Sequence, residues 1–181
     1  MSTCSLFGHR VVFNYDVVRK RLIEKIIYLV DLGVDKFLVG RHGEFDRLAL
    51  EVLRWVDKNY IKIKFDIVFS GPTLFGSRMQ KDYIAQYYKD VSTVCYPVEE
   101  LHFKQQITAT NQMMIDDSDV VLCYYDQTRQ SVGVKNAIRY ANKQNKKIVN
   151  LFTDDEYLIE ADMRREEFDE FISNIRANKG R

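Results

Sequence analysis

Residues 119–142 read D-V-V-L-C-Y-Y-D-Q-T-R-Q-S-V-G-V-K-N-A-I-R-Y-A-N, and this stretch carries the pattern that decides the fold. The segment 119–125 is an almost continuous apolar run, which is typical of a strand buried on both faces of a parallel sheet. After a polar turn, the segment 132–142 repeats apolar residues at helical spacing. A buried strand that leads through a short turn into an amphipathic helix predicts one unit of a parallel α/β sheet.

The same alternation runs along the rest of the chain. It predicts strands at 3–7, 36–39, 64–69, 91–96, 119–125 and 147–152, and helices at 16–32, 44–58, 102–116, 132–142 and 164–176. Asp16 and Gly33 are the expected caps of the first helix. The polar, Tyr-rich segment 75–89 fits either a helix or a mobile lid. Right-handed crossovers then give an α/β, Rossmann-like three-layer sandwich, with a mostly parallel sheet and helices on both faces.

Length and composition set limits on the class of protein. A chain of 181 residues fits a single Rossmann-like domain over 1–181. The formal net charge of +1 gives no reason to expect a nucleic-acid or membrane partner through bulk electrostatics. No apolar stretch is long enough to span a bilayer and no secretory signal precedes the first strand, so we expect a cytoplasmic protein. Cys4, Cys95 and Cys123 are expected to be buried free thiols.

Ligands of such folds bind beyond the carboxyl ends of the strands, where the strand order reverses. The first strand ends at Gly8, which is followed by His9 and Arg10. Glycine allows a sharp turn or a close approach to a ligand, and the guanidinium of Arg suits a phosphate or a carboxylate. The sequence therefore predicts part of a binding site at this turn.

The turn after the second strand reads G-R-H-G-E-F-D over residues 40–46 and leads directly into a helix. A glycine-rich turn at a helix N-terminus presents free N–H groups and the positive end of the helix dipole, which favour a phosphate. Glu44 and Asp46 fall in the first helical turn. They either cap the helix or act on a sugar as acid, base or nucleophile.

Further candidates follow the later strands. Ser70 and Gly71 come after the third strand, and Asp126 comes after the fifth. Ser131 and Gly133 form a second junction able to hold a phosphate, and Asn111 lies on the preceding helix. His9 and His42 follow neighbouring strands, but their spacing matches no established metal-ligand pattern, so we predict neither a metal nor a cofactor.

These motifs resemble the SLOG superfamily, the Rossmann-like proteins named for the Smf/DprA and Lonely Guy groups. The resemblance rests on F-G-H-R at 7–10, V-G-R-H-G-E-F-D-R-L-A at 39–49, D-D-S-D-V-V-L at 116–122, G-V-K-N-A-I-R-Y-A at 133–141 and K-K-I-V-N-L at 146–151. It is nearest to small stand-alone proteins with G-H-R and G-x-x-G-x-F-D motifs. It implies a nucleotide pocket built from Gly8, His9, Arg10, Gly40, Gly43, Phe45, Asp46 and Gly133.

One departure separates this chain from the enzymes of that superfamily. Members that hydrolyse the N-glycosidic bond of nucleotides carry a P-G-G-x-G-T-x-x-E run with a glutamate on the helix. The matching stretch here, 131–137, has no carboxylate, and Lys135 or Asn136 stands near that place. Hydrolysis therefore requires Glu44 or Asp46 to take over the role.

We expect the chain to bind a nucleotide or nucleotide-derived small molecule, as a sensing or sequestering module. An N-glycosidase of the phosphoribohydrolase type is the alternative, and a single-stranded DNA-binding protein with a basic face at Lys143, Lys146 and Lys147 is the second. A homodimer or higher homo-oligomer is expected from the resemblance. The predicted ligand-binding residues are Gly8, His9, Arg10, Gly40, Arg41, His42, Gly43, Phe45, Asp46, Ser70, Gly71, Asn111, Asp126, Ser131 and Gly133.

Overall fold

The computed structural model describes residues 2–70, 88–89, 91–98 and 100–152. Within residues 2–70 and 100–152 strands and helices alternate, as the apolar periodicity predicts. The strands are β1 (Ser2–Gly8), β2 (Val34–Val39), β3 (Lys64–Ser70), β4 (Ser92–Tyr96), β5 (Val120–Tyr124) and β6 (Lys147–Asn150). The helices are α1 (Tyr15–Asp31), α2 (Glu44–Asn59), α3 (Phe103–Asp116) and α4 (Val132–Lys143).

The six described strands form one sheet in the order β4-β3-β2-β1-β5-β6, and every pair is parallel. β1 lies between β2 and β5, and its last residue, Gly8, is in register with Tyr124 at the end of β5. The chain adds strands on one side of β1 up to β4 and then returns to its other side. The strand order therefore reverses between β1 and β5, and a ligand site is expected at their carboxyl ends.

Two hydrophobic layers hold the helices on opposite faces of the sheet. One layer joins α1 and α2 to the sheet through buried side chains such as Leu22, Leu48 and Phe37. The other joins α3 and α4 through Met114, Ala137 and their neighbours. The predicted three-layer α/β sandwich is confirmed, and the described sheet is wholly parallel.

Three local predictions are corrected. Asp16 lies inside the first turn of α1, and the N-cap is Asn14, whose φ of 53° is left-handed, a conformation that Asn tolerates. Leu32 is the C-cap, and Gly33 follows it with φ 94°. Cys95 is exposed on β4, where alternate side chains face outward, whereas Cys4 and Cys123 are buried.

Some predictions fall on residues outside the described ranges. They are Gly71, the lid segment except for residues 88–89, and the C-terminal helix at 164–176. Among the described helices, none combines the length and the apolar character needed to cross a membrane.

Candidate functional site

A cleft of about 460 Å³ opens at the carboxyl ends of β1 and β2, beside the N-terminus of α4. Its walls come from the turns after these strands, from the loop that precedes α4, and from one face of α3. Ten of the predicted ligand-binding residues line it: Gly8, His9, Arg10, Gly40, His42, Gly43, Asp46, Asn111, Ser131 and Gly133. The glycine turns near positions 8, 40 and 133, which are far apart in sequence, thus face one cavity.

Gly8 is required by the close packing of Phe45 against the end of β1. A Cβ atom at position 8 would lie 2.2 Å from Cγ of Phe45, far inside van der Waals contact. Phe45 is fully buried, and its ring stacks on Tyr124 with centroids 6.1 Å apart. The aromatic residue of the G-x-x-G-x-F-D motif therefore lies behind the cleft and supports its wall.

The turn before α2 uses its own residues to satisfy the helix N-terminus. Oδ2 of Asp46 accepts hydrogen bonds from the backbone N–H groups of His42, at 2.7 Å, and Gly43, at 3.2 Å. The N–H of Glu44 donates to the carbonyl of Arg10 over 2.9 Å. Because these donors are already engaged, this turn has less to offer a phosphate than its sequence predicts.

Asp46 has an unusual protonation equilibrium for a carboxyl group. Burial raises its pKa to about 6, although the two backbone N–H groups and the nearby charge of Arg10 act in the opposite direction. The side chain also lines the cleft. A carboxyl group that titrates near neutral pH has the property that general acid–base catalysis needs.

Glu44 holds the loop between β1 and α1. Its Oε2 accepts a hydrogen bond from the N–H of Val12 at 2.9 Å, and its Oε1 lies 3.7 Å from a guanidinium nitrogen of Arg47. Glu44 is not among the described residues that line the cleft. Its contacts assign it to positioning the loop, and Asp46 is the carboxyl group of this turn that lines the cleft.

His9 joins the ends of β1 and β5. It is 2% exposed, and its Nε2 accepts a hydrogen bond of 2.8 Å from the backbone N–H of Asp126. Its ring stacks on Tyr125 and meets Tyr124 edge-on. Burial, followed by the charge of Arg129, lowers the pKa of His9, so the ring is neutral at pH 7.

Asp126 lies next to the cleft and shapes the loop that follows β5. It is 1% exposed, and its Oδ1 accepts hydrogen bonds from both the N–H and the hydroxyl of Thr128, at 2.8 and 2.7 Å. A side chain that bonds to the backbone two residues ahead fixes a tight turn. Asp126 thereby directs the chain toward Arg129 and the start of α4.

Arg129 lines the cleft, and the sequence pattern did not single it out. Its Nη2 donates to the carbonyl of Val11 over 2.9 Å, and its guanidinium lies 4.3 Å from the centre of the Phe13 ring. Nη1 is buried and has no hydrogen-bond partner among the described residues. In the sequence, Arg129 stands between the end of a strand and the start of a helix, and this place is the signal that could have indicated it. Its contacts with the β1–α1 loop become visible only in the folded structure.

The N-terminus of α4 differs from that of α2. Ser131 is the N-cap, yet its hydroxyl makes no capping hydrogen bond. Val132, Gly133 and Val134 line the cleft, and a Cβ atom at position 133 would meet nothing within 4 Å. The first turn of α4 therefore borders the cavity without a side-chain cap on its backbone N–H groups, an arrangement that suits an anion.

The wall formed by α3 is mainly apolar. Ile107, Asn111 and Met114 line the cleft from one face of this helix. The amide of Asn111 supplies both a donor and an acceptor within that apolar wall. Such a surface is suited to a flat ring, and the amide can form hydrogen bonds with polar groups at the edge of that ring.

Three of the predicted ligand-binding residues, Arg41, Ser70 and Asp126, lie beside the cleft and do not line it. Nε2 of His42, which lines the cleft, is 3.4 Å from Oγ of Ser70, and Ser70 is itself buried. Loss of water around the ring, together with the charges of Arg41 and Arg10, lowers the pKa of His42. Arg41 packs with its guanidinium 4.7 Å from the centre of the Phe69 ring. Arg41, Ser70 and Asp126 thus support the residues that face the cavity.

Basic side chains lie at both ends of the sheet. Arg10 and Arg129 bring positive charge to the cleft. The basic face suggested for DNA binding lies at the amino end of β6, and there Lys146 donates to the carbonyls of Asp116 and Ser118, over 3.1 and 2.7 Å. Within the described ranges, no three His, Cys, Asp or Glu side chains are grouped so as to hold a metal ion.

Comparisons with known proteins identify the family of this chain. No curated protein matches it. A crystal structure of shikimate dehydrogenase 1 from Peptoclostridium difficile is similar to it, with a TM-score of 0.41 and 10% sequence identity. The match covers 92% of this chain and 62% of the dehydrogenase. The sequence profile of the YspA SLOG family matches residues 9–156, most of the chain, and this protein therefore belongs to the YspA SLOG family.

Proposed function

We propose that this protein binds a nucleotide or nucleotide-derived small molecule in the cleft, as a sensing or sequestering module. The observation that carries the proposal is the convergence of Gly8, Gly40 and Gly133 on one cavity at the end of β1, where the strand order reverses. A volume of about 460 Å³ lies within the range of small-molecule sites.

The charges of the cleft favour a ligand with a phosphate. The first turn of α4 offers N–H groups without a side-chain cap, and Arg10 and Arg129 lie along the same cavity. Helix N-termini and guanidinium groups both bind phosphate oxygens through charge-assisted hydrogen bonds. Arg129 is held beside the cavity by the hydrogen bond from its Nη2 to the carbonyl of Val11, so its positive charge is already in place for a phosphate.

The opposite wall favours a base. Ile107 and Met114 give it an apolar surface, and Asn111 adds one amide. A ligand with a charged end and a flat ring with polar edges matches both walls. A nucleotide has these two parts, whereas a free phosphate or a simple sugar would leave the α3 wall without a contact.

Isothermal titration calorimetry against nucleoside monophosphates, ADP-ribose and cyclic ADP-ribose tests the proposal. We expect at least one compound to bind, and we expect the same nucleoside without its phosphate to bind far more weakly. Arg129→Gln should weaken the best ligand by about tenfold or more. Arg139→Gln removes the same charge from an exposed position on α4 that does not line the cleft, and should leave the affinity within about twofold. Absence of heat with every compound would refute the proposal.

A hydrolase that releases the base from a nucleotide is the second candidate, and the pKa of Asp46 favours it. A carboxyl group with a pKa of about 6 in a ligand cleft can donate or accept a proton at neutral pH. Asp46 would act as the acid or base, with Arg10 binding the ligand. Glu44 lacks the same access because it bonds to Val12.

Chromatography of nucleotides incubated with the protein tests this second candidate. Released free base would support it, and Asp46→Asn should then abolish the release. Glu44→Gln keeps an acceptor for Val12 and should retain activity. Turnover that is equal in the wild type and in Asp46→Asn would exclude Asp46 as the catalytic group.

A further inference from the structure

A second cavity, of about 770 Å³, lies at the opposite end of the sheet from the cleft. It is formed by the amino ends of β2, β3 and β4 together with the last turns of α2 and the segment that follows α2. Lys36 at the start of β2 is in register with Lys64 at the start of β3, so two lysines stand side by side on its floor. This cavity is separate from the proposed nucleotide cleft and shares no lining residue with it.

The lining of this cavity carries an excess of positive charge. Its basic side chains are Lys36, Arg54, Lys58, Lys62 and Lys64, against two acidic ones, Asp57 and Asp66. The whole chain has a formal net charge of only +1. The excess of basic groups in one concave surface is therefore a local concentration, and a cavity lined mainly by one sign of charge attracts oppositely charged ligands.

Both carboxylates of the cavity are engaged with the protein. Oδ2 of Asp66 lies 2.7 Å from Nζ of Lys36, and Asp66 is only 7% exposed. Asp57 accepts a hydrogen bond of 3.1 Å from the N–H of Ile63 and lies 2.9 Å from Nζ of Lys62. The acidic groups of the lining thus neutralise Lys36 and Lys62, and the cavity keeps a net positive charge.

We propose that this cavity is a second binding site, for a small anion that carries several phosphates. Lys58 comes from α2 and Lys64 from the start of β3, so the two charges stand on different walls. A chain of phosphates can span both walls, whereas a single phosphate is held by one of them. Lys58 and Lys64 are exposed, and their ammonium groups bind phosphate as point charges. Inorganic polyphosphate and the phosphate chain of a nucleoside polyphosphate share this chemistry.

Titration with inorganic tripolyphosphate, followed by amide NMR spectra of the intact chain, tests the site. We expect the amide signals of Lys64, Phe65 and Ser92 to move with saturation. The double variant Lys58→Gln/Lys64→Gln should weaken tripolyphosphate by about tenfold or more. The double variant Arg47→Gln/Arg139→Gln removes two charges from exposed positions on α2 and α4 that line neither cavity, and should change the affinity by less than about twofold.

Five outcomes of this titration, repeated with ATP, decide whether the anion occupies this cavity. Equal weakening by the two double variants would mean attraction to any basic surface, and would overturn the proposal. Signals that move only around Gly8 and Gly133 would place the anion in the cleft, and would also overturn it. Absence of saturable binding would do the same. If ATP and tripolyphosphate both move the amide signals of Lys64, Phe65 and Ser92, the result would support a site for any phosphate chain. If only tripolyphosphate moves them, the result would support a site for inorganic polyphosphate.

Discussion

The backbone N–H of Asp126 donates a hydrogen bond of 2.8 Å to Nε2 of His9, and this bond joins the turns after β5 and β1. The two strands are neighbours in the sheet, although 117 positions separate the two residues in the sequence. Because Nε2 is the acceptor, the proton of the neutral ring must be on Nδ1. The histidine of the G-H-R motif thus fixes the junction at which the cleft opens.

Replacement of His9 by Phe should destabilise the protein by about 1–3 kcal/mol, because it leaves the buried N–H of Asp126 without an acceptor. The ring packing against Tyr124 and Tyr125 would be largely kept. Urea denaturation at pH 7.5 measures the loss. Equal stability of the variant and the wild type would mean that the N–H of Asp126 finds another acceptor.

The difference in stability between the wild type and the His9→Phe variant should become smaller in acid. The pKa of His9 is lowered in the folded state, so below pH 6.5 the unfolded state binds more protons than the folded state. The wild type therefore loses stability from His9 as the pH falls below 6.5, whereas the Phe variant has no such loss. Denaturation curves at pH 7.5 and 5.5 should show the gap narrowing, and a gap that widens would oppose this assignment.

Gly8→Ala should destabilise the protein by about 3 kcal/mol, since the new methyl group would overlap the ring of Phe45. Phe45 is fully buried and its ring stacks on Tyr124, so a displacement of Phe45 would disturb the core. Gly133→Ala is the matched control, because a methyl group there meets nothing within 4 Å and Ala favours a helix. Thermal unfolding should show a large loss for the first variant and none for the second.

The order of strands and helices was predictable from sequence because each element carries its own apolar period. The continuous run at β5 and the helical spacing in α2 and α4 are local properties of the chain. The cap of α1 was not predictable in the same way. Asn14 adopts a left-handed conformation there, and the sequence offers Asp16, a residue type that caps helices equally well, two residues later.

The parts of the site that lie at the carboxyl ends of the strands were predictable from sequence. The parts that depend on contacts between distant side chains were not. Gly8, Gly40 and Gly133 lie at the end of a strand or in the segment after one, so their convergence follows from the parallel sheet. The sequence does not reveal that Phe45 fills the space left by the missing side chain of Gly8. It also does not reveal that Arg129 reaches across to the β1–α1 loop, because that contact joins residues 118 positions apart.

Glu44→Ala should loosen the loop that covers one side of the cleft. The variant removes the acceptor of the Val12 N–H, while Glu44→Gln keeps an oxygen at the same place. Hydrogen exchange followed by NMR should show the Val12 amide exchanging at least about tenfold faster in the Ala variant. The Gln variant should remain near the wild type, and equal protection of Val12 in all three proteins would remove the positioning role from Glu44.

Asp46→Asn should raise stability at pH 7.5 by about 1–3 kcal/mol, because burial makes the ionised carboxylate costly. The pKa of Asp46 is raised from 3.8 to about 6 on folding, so between these values the folded state binds more protons. The wild type therefore loses stability as the pH rises from about 4 to 6, and the neutral amide does not. The oxygen of Asn can still accept from the N–H groups of His42 and Gly43, which preserves the turn.

Asp119 is the control for the predicted gain in stability of Asp46→Asn, because the folded protein shifts the pKa of Asp119 in the opposite direction. The pKa of Asp119 is lowered, first by the hydrogen bond from the N–H of Thr3, so its ionised form is favoured in the folded protein. Asp119→Asn should therefore reduce stability at neutral pH, opposite in sign to Asp46→Asn. Urea denaturation of both variants at pH 4.5 and 7.5 checks the two signs. If Asp46→Asn is instead less stable than the wild type at pH 7.5, the ionised carboxylate holds the turn before α2 better than burial opposes it, and its pKa cannot be near 6.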